Sequence, residues 1–137
     1  MIMNYVCKYT PIEIIESYDF ETVNFEPEYS NFNCAENCTH SNMCGYGKAV
    51  LENILHKNIK NLILVNCCDV FRRIYDVLNS SNSMDFLFLL DMPHKNDNIS
   101  VNYLKKEIER LCNELNKYGN FDKEKFIQLC KQKKEQN

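Results

Sequence analysis

Eight cysteines are the residues of this chain most able to do chemistry: Cys7, Cys34, Cys38, Cys44, Cys67, Cys68, Cys112 and Cys130. Cys112 follows Ile108 by four positions and Cys130 follows Phe126 by four, so both fall on apolar helix faces and read as buried structural residues. The other six have a different setting. Cys7 comes just ahead of Thr10-Pro11, Cys44 falls in the first turn of a helix in NMCGYGKAVLE, and Cys67-Cys68 lead into a helix in VNCCDVFRRIYD. A helix N-terminus carries partial positive charge and free N–H groups, which favour thiolate over thiol and stabilise an anionic centre. An iron–sulfur cluster with thiolate ligands is such a centre, and N–H bonds to its sulfurs tune its potential. A second chemistry is open at Cys34-x3-Cys38-x5-Cys44 with His40 inside it. Those N and S donors could hold tetrahedral zinc in a non-catalytic interaction module, which leaves Cys7, Cys67 and Cys68 idle.

Other chemistries find less support. Gly45-Tyr46-Gly47-Lys48 is too short for a phosphate loop and lies at a helix start rather than after a strand; its glycines suit close approach of backbone to a ligand. There is no Ser/His/Asp arrangement. His56 and His94 have no constellation around them, and Arg72 and Arg73 fit either a solvated helix face or a contact with an anionic substrate. A net charge of −3 without a basic patch argues against nucleic acid, and no apolar run is long enough to span a membrane. Residues 1–20 lack the basic start and apolar core of a signal peptide, so the expected location is cytoplasmic. In a reducing compartment, clustered thiols bind metal or do redox chemistry more often than they form disulfides.

The elements that must position these thiols follow from periodicity. Thr10-Pro11-Ile12-Glu13 reads as a capping box opening a short helix over 11–18, and TVNF at 22–25 as a first strand. Residues 26–41 are polar and irregular. A helix is expected over 42–57, with Val50, Leu51, Ile54 and Leu55 as its apolar side. NLILVN at 61–66 is a continuous apolar run, the signature of a parallel strand buried on both faces. DVFRRIYDVL at 69–78 is helical with Asp69 as cap, and DFLFLLDMP at 85–93 is a second buried strand ended by Pro93. Val101, Leu104, Ile108, Leu111, Leu115 and Tyr118 recur three and four apart on a long helix stopped by Gly119. A last helix covers 122–134 with Asp122 as cap. Strands alternating with helices predict one α/β domain over 1–137, a small parallel three-stranded Rossmann-like sheet flanked by helices, with a helical C-terminal end. Ligands of such sheets gather beyond the carboxyl ends of the strands, where Cys67 and Cys68 stand.

CKYTPIEIIESYDFETV, NMCGYGKAVLE, NCCDVFRRIYDVL and FLFLLDMP occur in an order that resembles the 2-hydroxyacyl-CoA dehydratase and benzoyl-CoA reductase family, D-component type. The resemblance spans roughly residues 5–130. It implies a [4Fe–4S] cluster on Cys7, Cys44 and, from the Asp69 that follows it, Cys68, with one iron left open to act as a Lewis acid. It implies radical dehydration of a 2-hydroxyacyl-CoA through a ketyl, started by an electron from an ATP-dependent activator protein. It further implies a related dehydratase subunit or a separate second domain as partner. By the same resemblance the chain corresponds to the N-terminal, cluster-binding domain, with the second domain absent and activity alone in question. Cys34, Cys38 and Cys67 are extra to the three-cysteine pattern. With the other three they make six, as in relatives that carry a double-cubane [8Fe–9S] cluster and reduce small molecules.

Overall fold

The computed structural model describes residues 1–24 and 44–136 of the 137. In chain order the elements are β1 (Ile2–Tyr5), α1 (Ile12–Glu16), β2 (Glu21–Asn24), α2 (Gly45–His56), β3 (Asn61–Val65), α3 (Asp69–Ser81), β4 (Phe86–Leu90), α4 (Asn98–Leu115) and α5 (Lys123–Gln136). The α/β reading holds, with four strands rather than three. All neighbours pair in parallel in the order β2-β1-β3-β4.

The strand that periodicity does not reveal is β1. Its four residues, Ile-Met-Asn-Tyr, are too few and too mixed to show a period. Position makes it a strand, because it lies between β2 and β3 with Met3 at 0% exposure. Its Asn4 is no misfit. The Asn4 amide donates to the Asn61 carbonyl (3.1 Å) and the Asn61 amide to the Ile2 carbonyl (3.2 Å), clamping β1 to β3 where their register starts.

Alternation along β3 builds two cores. Leu62 and Leu64 face Val50, Leu51 and Ile54 of α2 and Val70, Phe71, Ile74 and Leu78 of α3. Ile63 and Val65 face Met3, Ile15 of α1, Phe86, Phe88 and Leu90 of β4, and Leu111 and Leu115 of α4. Side chains of a strand point alternately to opposite faces, so only a strand covered on both sides can be apolar throughout. The molecule is therefore an α/β/α sandwich.

Several local expectations are corrected. Thr10 does not cap α1: its hydroxyl donates to the Cys7 carbonyl (2.7 Å), Pro11 holds the cap position, and Glu13 pairs with Lys133 (2.9 Å). Asp69 is the first residue of α3, behind Cys68 as N-cap. Asp97, not foreseen, caps α4 through the Ser100 N–H (2.7 Å). Asp122 does cap α5, accepting from the Lys125 N–H (3.2 Å). On α4 the predicted stripe is buried only in its second half; Val101 is exposed while Leu111 and Leu115 are sealed. Helix α4 ends at Leu115, and Gly119 is needed for space: a Cβ there would stand 2.8 Å from the Tyr18 carbonyl oxygen.

Candidate functional site

The strand order fixes where the site lies. From β1 the chain passes to β2 on one side, then returns across β1 to start β3 on the other. In an open parallel sheet the crevice at such a reversal, outside the carboxyl ends of the two strands, is the usual place for a ligand. Here the segment leaving β1 brings Cys7 to one side of the crevice, and the segment leaving β3 brings Asn66, Cys67 and Cys68 to the other.

Cys7 stands two residues past β1, in a turn closed by the Thr10 N–H (3.1 Å) and hydroxyl (2.7 Å), both donating to its carbonyl. A helix start is therefore not its setting. The helix ahead of it begins only at Ile12 and runs five residues, so a strand-end turn presents this thiol. Cys44 is the N-cap of α2, in extended conformation, and its sulfur accepts the Gly47 N–H at 3.4 Å. Cys68 is the N-cap of α3, also extended, with a free side chain. Cys67 puts its sulfur 3.1 Å from that of Cys7. Extended backbone sends neighbouring side chains in opposite directions. Cys67 accordingly lines a cavity of about 380 Å³ with Tyr9, Met92, Pro93 and His94, and Cys68 one of about 290 Å³ with Asn66, Asp69, Arg72 and His94. Cys34, Cys38 and His40 lie outside the described residues.

Two pKa shifts describe the thiol group. Burial among its neighbours and the hydrogen-bonded Cys7 thiol push Cys67 up to about 12, although part of the residue reaches solvent. It therefore carries its proton at neutral pH, and any metal that took this sulfur would expel that proton. Burial also raises the Tyr46 phenol, and Cys67, Cys7, Cys44 and Cys68 raise it further in that order. Tyr46, edge-on to Phe71 at 6.2 Å, thus stands within electrostatic reach of all four thiols.

The floor of the site is a polar network that periodicity does not reveal. Asn66 donates its N–H to the Leu90 carbonyl (3.0 Å) and its amide to Asp91, which also accepts from the Tyr103 hydroxyl. Arg72 lies 3.8 Å from the same carboxylate, so it faces the site while Arg73 stays on the solvated side. Glu107 takes the Asp91 N–H (3.0 Å) and is gripped by Arg110, which also donates to the Leu89 carbonyl (2.7 Å). The Arg110 guanidinium holds the Glu107 carboxyl below its ordinary range. His94 has no constellation in the sequence, yet it lines both cavities. The signal that could have found it is its place: three residues past Asp91, beyond the carboxyl end of β4.

Cys112 and Cys130 take no part. Cys112 packs against the core formed by Ile63 and Leu111, and Cys130 is half-buried on α5. His56 bonds Glu52 (3.0 Å) one turn back on α2.

The sequence model of the family described as 2-hydroxyglutaryl-CoA dehydratase, D-component, matches residues 7–137. The chain belongs to that family. The match of this D-component relative begins at Cys7, the first thiol of the site, and takes in α1 and every later element. No curated protein matches the chain. It is a 2-hydroxyacyl-CoA dehydratase-type component of lyase class. Among the described residues no helix is long and apolar enough to cross a membrane.

Proposed function

We propose that the D-component chain carries a [4Fe–4S] cluster on Cys7, Cys44 and Cys68 and serves radical dehydration of a 2-hydroxyacyl-CoA. The observation that carries the reading is the meeting of Cys7 and Cys67 across the strand-order reversal, with Cys44 and Cys68 as the N-caps of α2 and α3. The donor set suits the group. A single zinc or iron draws its sulfurs to about 2.3 Å from one centre. Among the described residues no three His, Cys, Asp or Glu side chains converge that closely. A cluster spreads its thiolate ligands over several irons, so its sulfurs need not converge on one centre. Such a cluster supplies one-electron reduction and, at an iron without a protein ligand, Lewis acidity toward a substrate oxygen.

The chain's own residues have definable tasks. Cys44 would enter as a thiolate already facing the Gly47 N–H, a bond that lowers electron density on the sulfur. Cys68, at the N-terminus of the thirteen-residue α3, has the helix dipole behind it. Asp91, fixed by Asn66 and Tyr103, keeps Arg72 at the mouth of the smaller cavity, where a carboxylate or phosphate of an acyl-CoA could be held. The exposed thiols need cover from water. A related subunit or a separate domain is the partner this reading assigns to that task, and an ATP-dependent activator is the electron source.

Anaerobic purification tests the proposal. The expected product is brown, with about four irons and about four sulfides per chain. A colourless, iron-free protein after anaerobic reconstitution rejects it. The contact of Cys67 with Cys7 favours one second reading, a six-thiol double cubane, because it brings a fourth thiol to the same rim. That reading requires about eight irons per chain, and their loss in Cys34→Ser or Cys38→Ser.

A further inference from the structure

Among the described residues, Cys67 is the thiol of the site that the three-ligand pattern does not employ, yet its sulfur lies 3.1 Å from that of Cys7 across 60 positions of sequence. Both thiols are free, Cys67 is exposed and Cys7 partly so. The contact joins two anchored turns. The Cys7 turn is closed by Thr10, and the residue before Cys67 is tied by backbone to Leu90 and by side chain to Asp91. The other two thiols are directed elsewhere: Cys44 toward the Gly47 N–H, and Cys68 into the cavity with Asp69 and Arg72.

We propose that Cys7 and Cys67 form a reversible disulfide site, closed by hydrogen peroxide and opened by a dithiol. One sulfur, as thiolate, attacks a peroxide oxygen; the O–O bond breaks and the leaving hydroxide takes up a proton to become water. The sulfenic acid so formed is attacked by the second sulfur as a thiol, the S–S bond forms, and the thiol proton passes to the sulfenic oxygen, which leaves as a second water. The two thiols lose two electrons and two protons, and the peroxide gains them. Dithiol exchange restores both thiols. Closure would withdraw Cys7 from metal and protect it from irreversible over-oxidation. That consequence rests on the cluster reading; the disulfide does not.

The test uses the full chain, stripped of metal by a chelator and treated anaerobically with hydrogen peroxide. Remaining thiols are alkylated, and the digest is read by mass spectrometry. The expected product is a linked peptide pair containing Cys7 and Cys67, lighter by two hydrogens and lost on dithiothreitol treatment. It persists in Cys68→Ser and disappears in Cys67→Ser. A Cys7 that is alkylated or over-oxidised without a link overturns the proposal, as does a link that survives in Cys67→Ser through Cys68. Iron and sulfide uptake is then compared before and after peroxide. Uptake by the reduced chain and not by the oxidised one supports the protective role, and equal uptake by both rejects it. If the link forms while even the reduced chain takes up no iron, the disulfide site stands and the cluster reading fails.

Discussion

Ile63 and Cys67 lie four residues apart on one run of chain, and their surroundings could hardly differ more. Ile63 is at 0% exposure, with β1 and β4 at its sides and α4 on its face. Cys67 is exposed, and its thiol meets another thiol rather than carbon. Within β3 a helix layer covers each face, so the side chains from Leu62 to Val65 are all used for packing. Past Val65 one more backbone bond, Asn66 N–H to the Leu90 carbonyl, holds the chain to β4, and α3 does not begin until Asp69, so Cys67 and Cys68 have no layer to bury themselves in. A parallel sheet sends all its strands out at the same edge. The polar and sulfur-bearing residues beyond β1, β3 and β4 are thereby collected in one place.

Substitutions should separate the two regions cleanly, and the body of the strand should show the largest effect on stability. Leu64→Ala, at 1% exposure, is expected to cost about 2–5 kcal/mol in urea unfolding, because the packed core can collapse only partly round the cavity. A cost near zero would mean that β3 is not the sealed centre of the sheet. Next comes the brace beneath the site. Glu107→Gln removes the charge that Arg110 grips, and the expected loss is about 1–3 kcal/mol. The pH dependence gives the sign. Because the folded Glu107 value is depressed, its stabilisation is full above the ordinary carboxylate value of 4.5 and is lost as pH falls through the lower folded value. The wild type and Glu107→Gln curves should converge in acid; parallel curves would show that the carboxylate contributes nothing.

Gly119→Ala should cost about 1–3 kcal/mol, since its Cβ would press on backbone, the Tyr18 carbonyl, rather than on a movable side chain. A neutral outcome would show that the turn after α4 gives way easily. The smallest effect belongs to the rim. Cys7→Ser should change stability of the metal-free chain by no more than about 0.5 kcal/mol, yet abolish iron loading after anaerobic reconstitution. A Cys7→Ser protein that unfolds like Leu64→Ala would erase the distinction between body and rim.

Much of the body is legible in sequence and much less of the rim. Leu62-Ile63-Leu64-Val65 announces a doubly covered strand because a run without polar residues is what a strand buried on both faces needs. The helices on either side follow from spacing, as does the assignment of Cys112 to packing. Thr10 misleads because a hydroxyl beside Pro-x-Glu looks like a cap, and only the fold shows that it closes the Cys7 turn instead. Asp91, Tyr103 and Glu107 are invisible as a network. They come from the end of β4 and from a helix that reaches them only after docking.

Local sequence was enough for the α/β class, the two-faced burial of β3, and the presence of thiols ahead of α2 and α3. Those depend on local period and on residues a few positions apart. Packing in three dimensions was needed to make Ile2–Tyr5 a strand inside the sheet, because a four-residue element is defined by the neighbours it pairs with. With β1 beside β3, the reversal of strand order falls between them. Cys7 and Cys67, 60 positions apart, then meet at 3.1 Å, a contact that no spacing along the chain could have indicated.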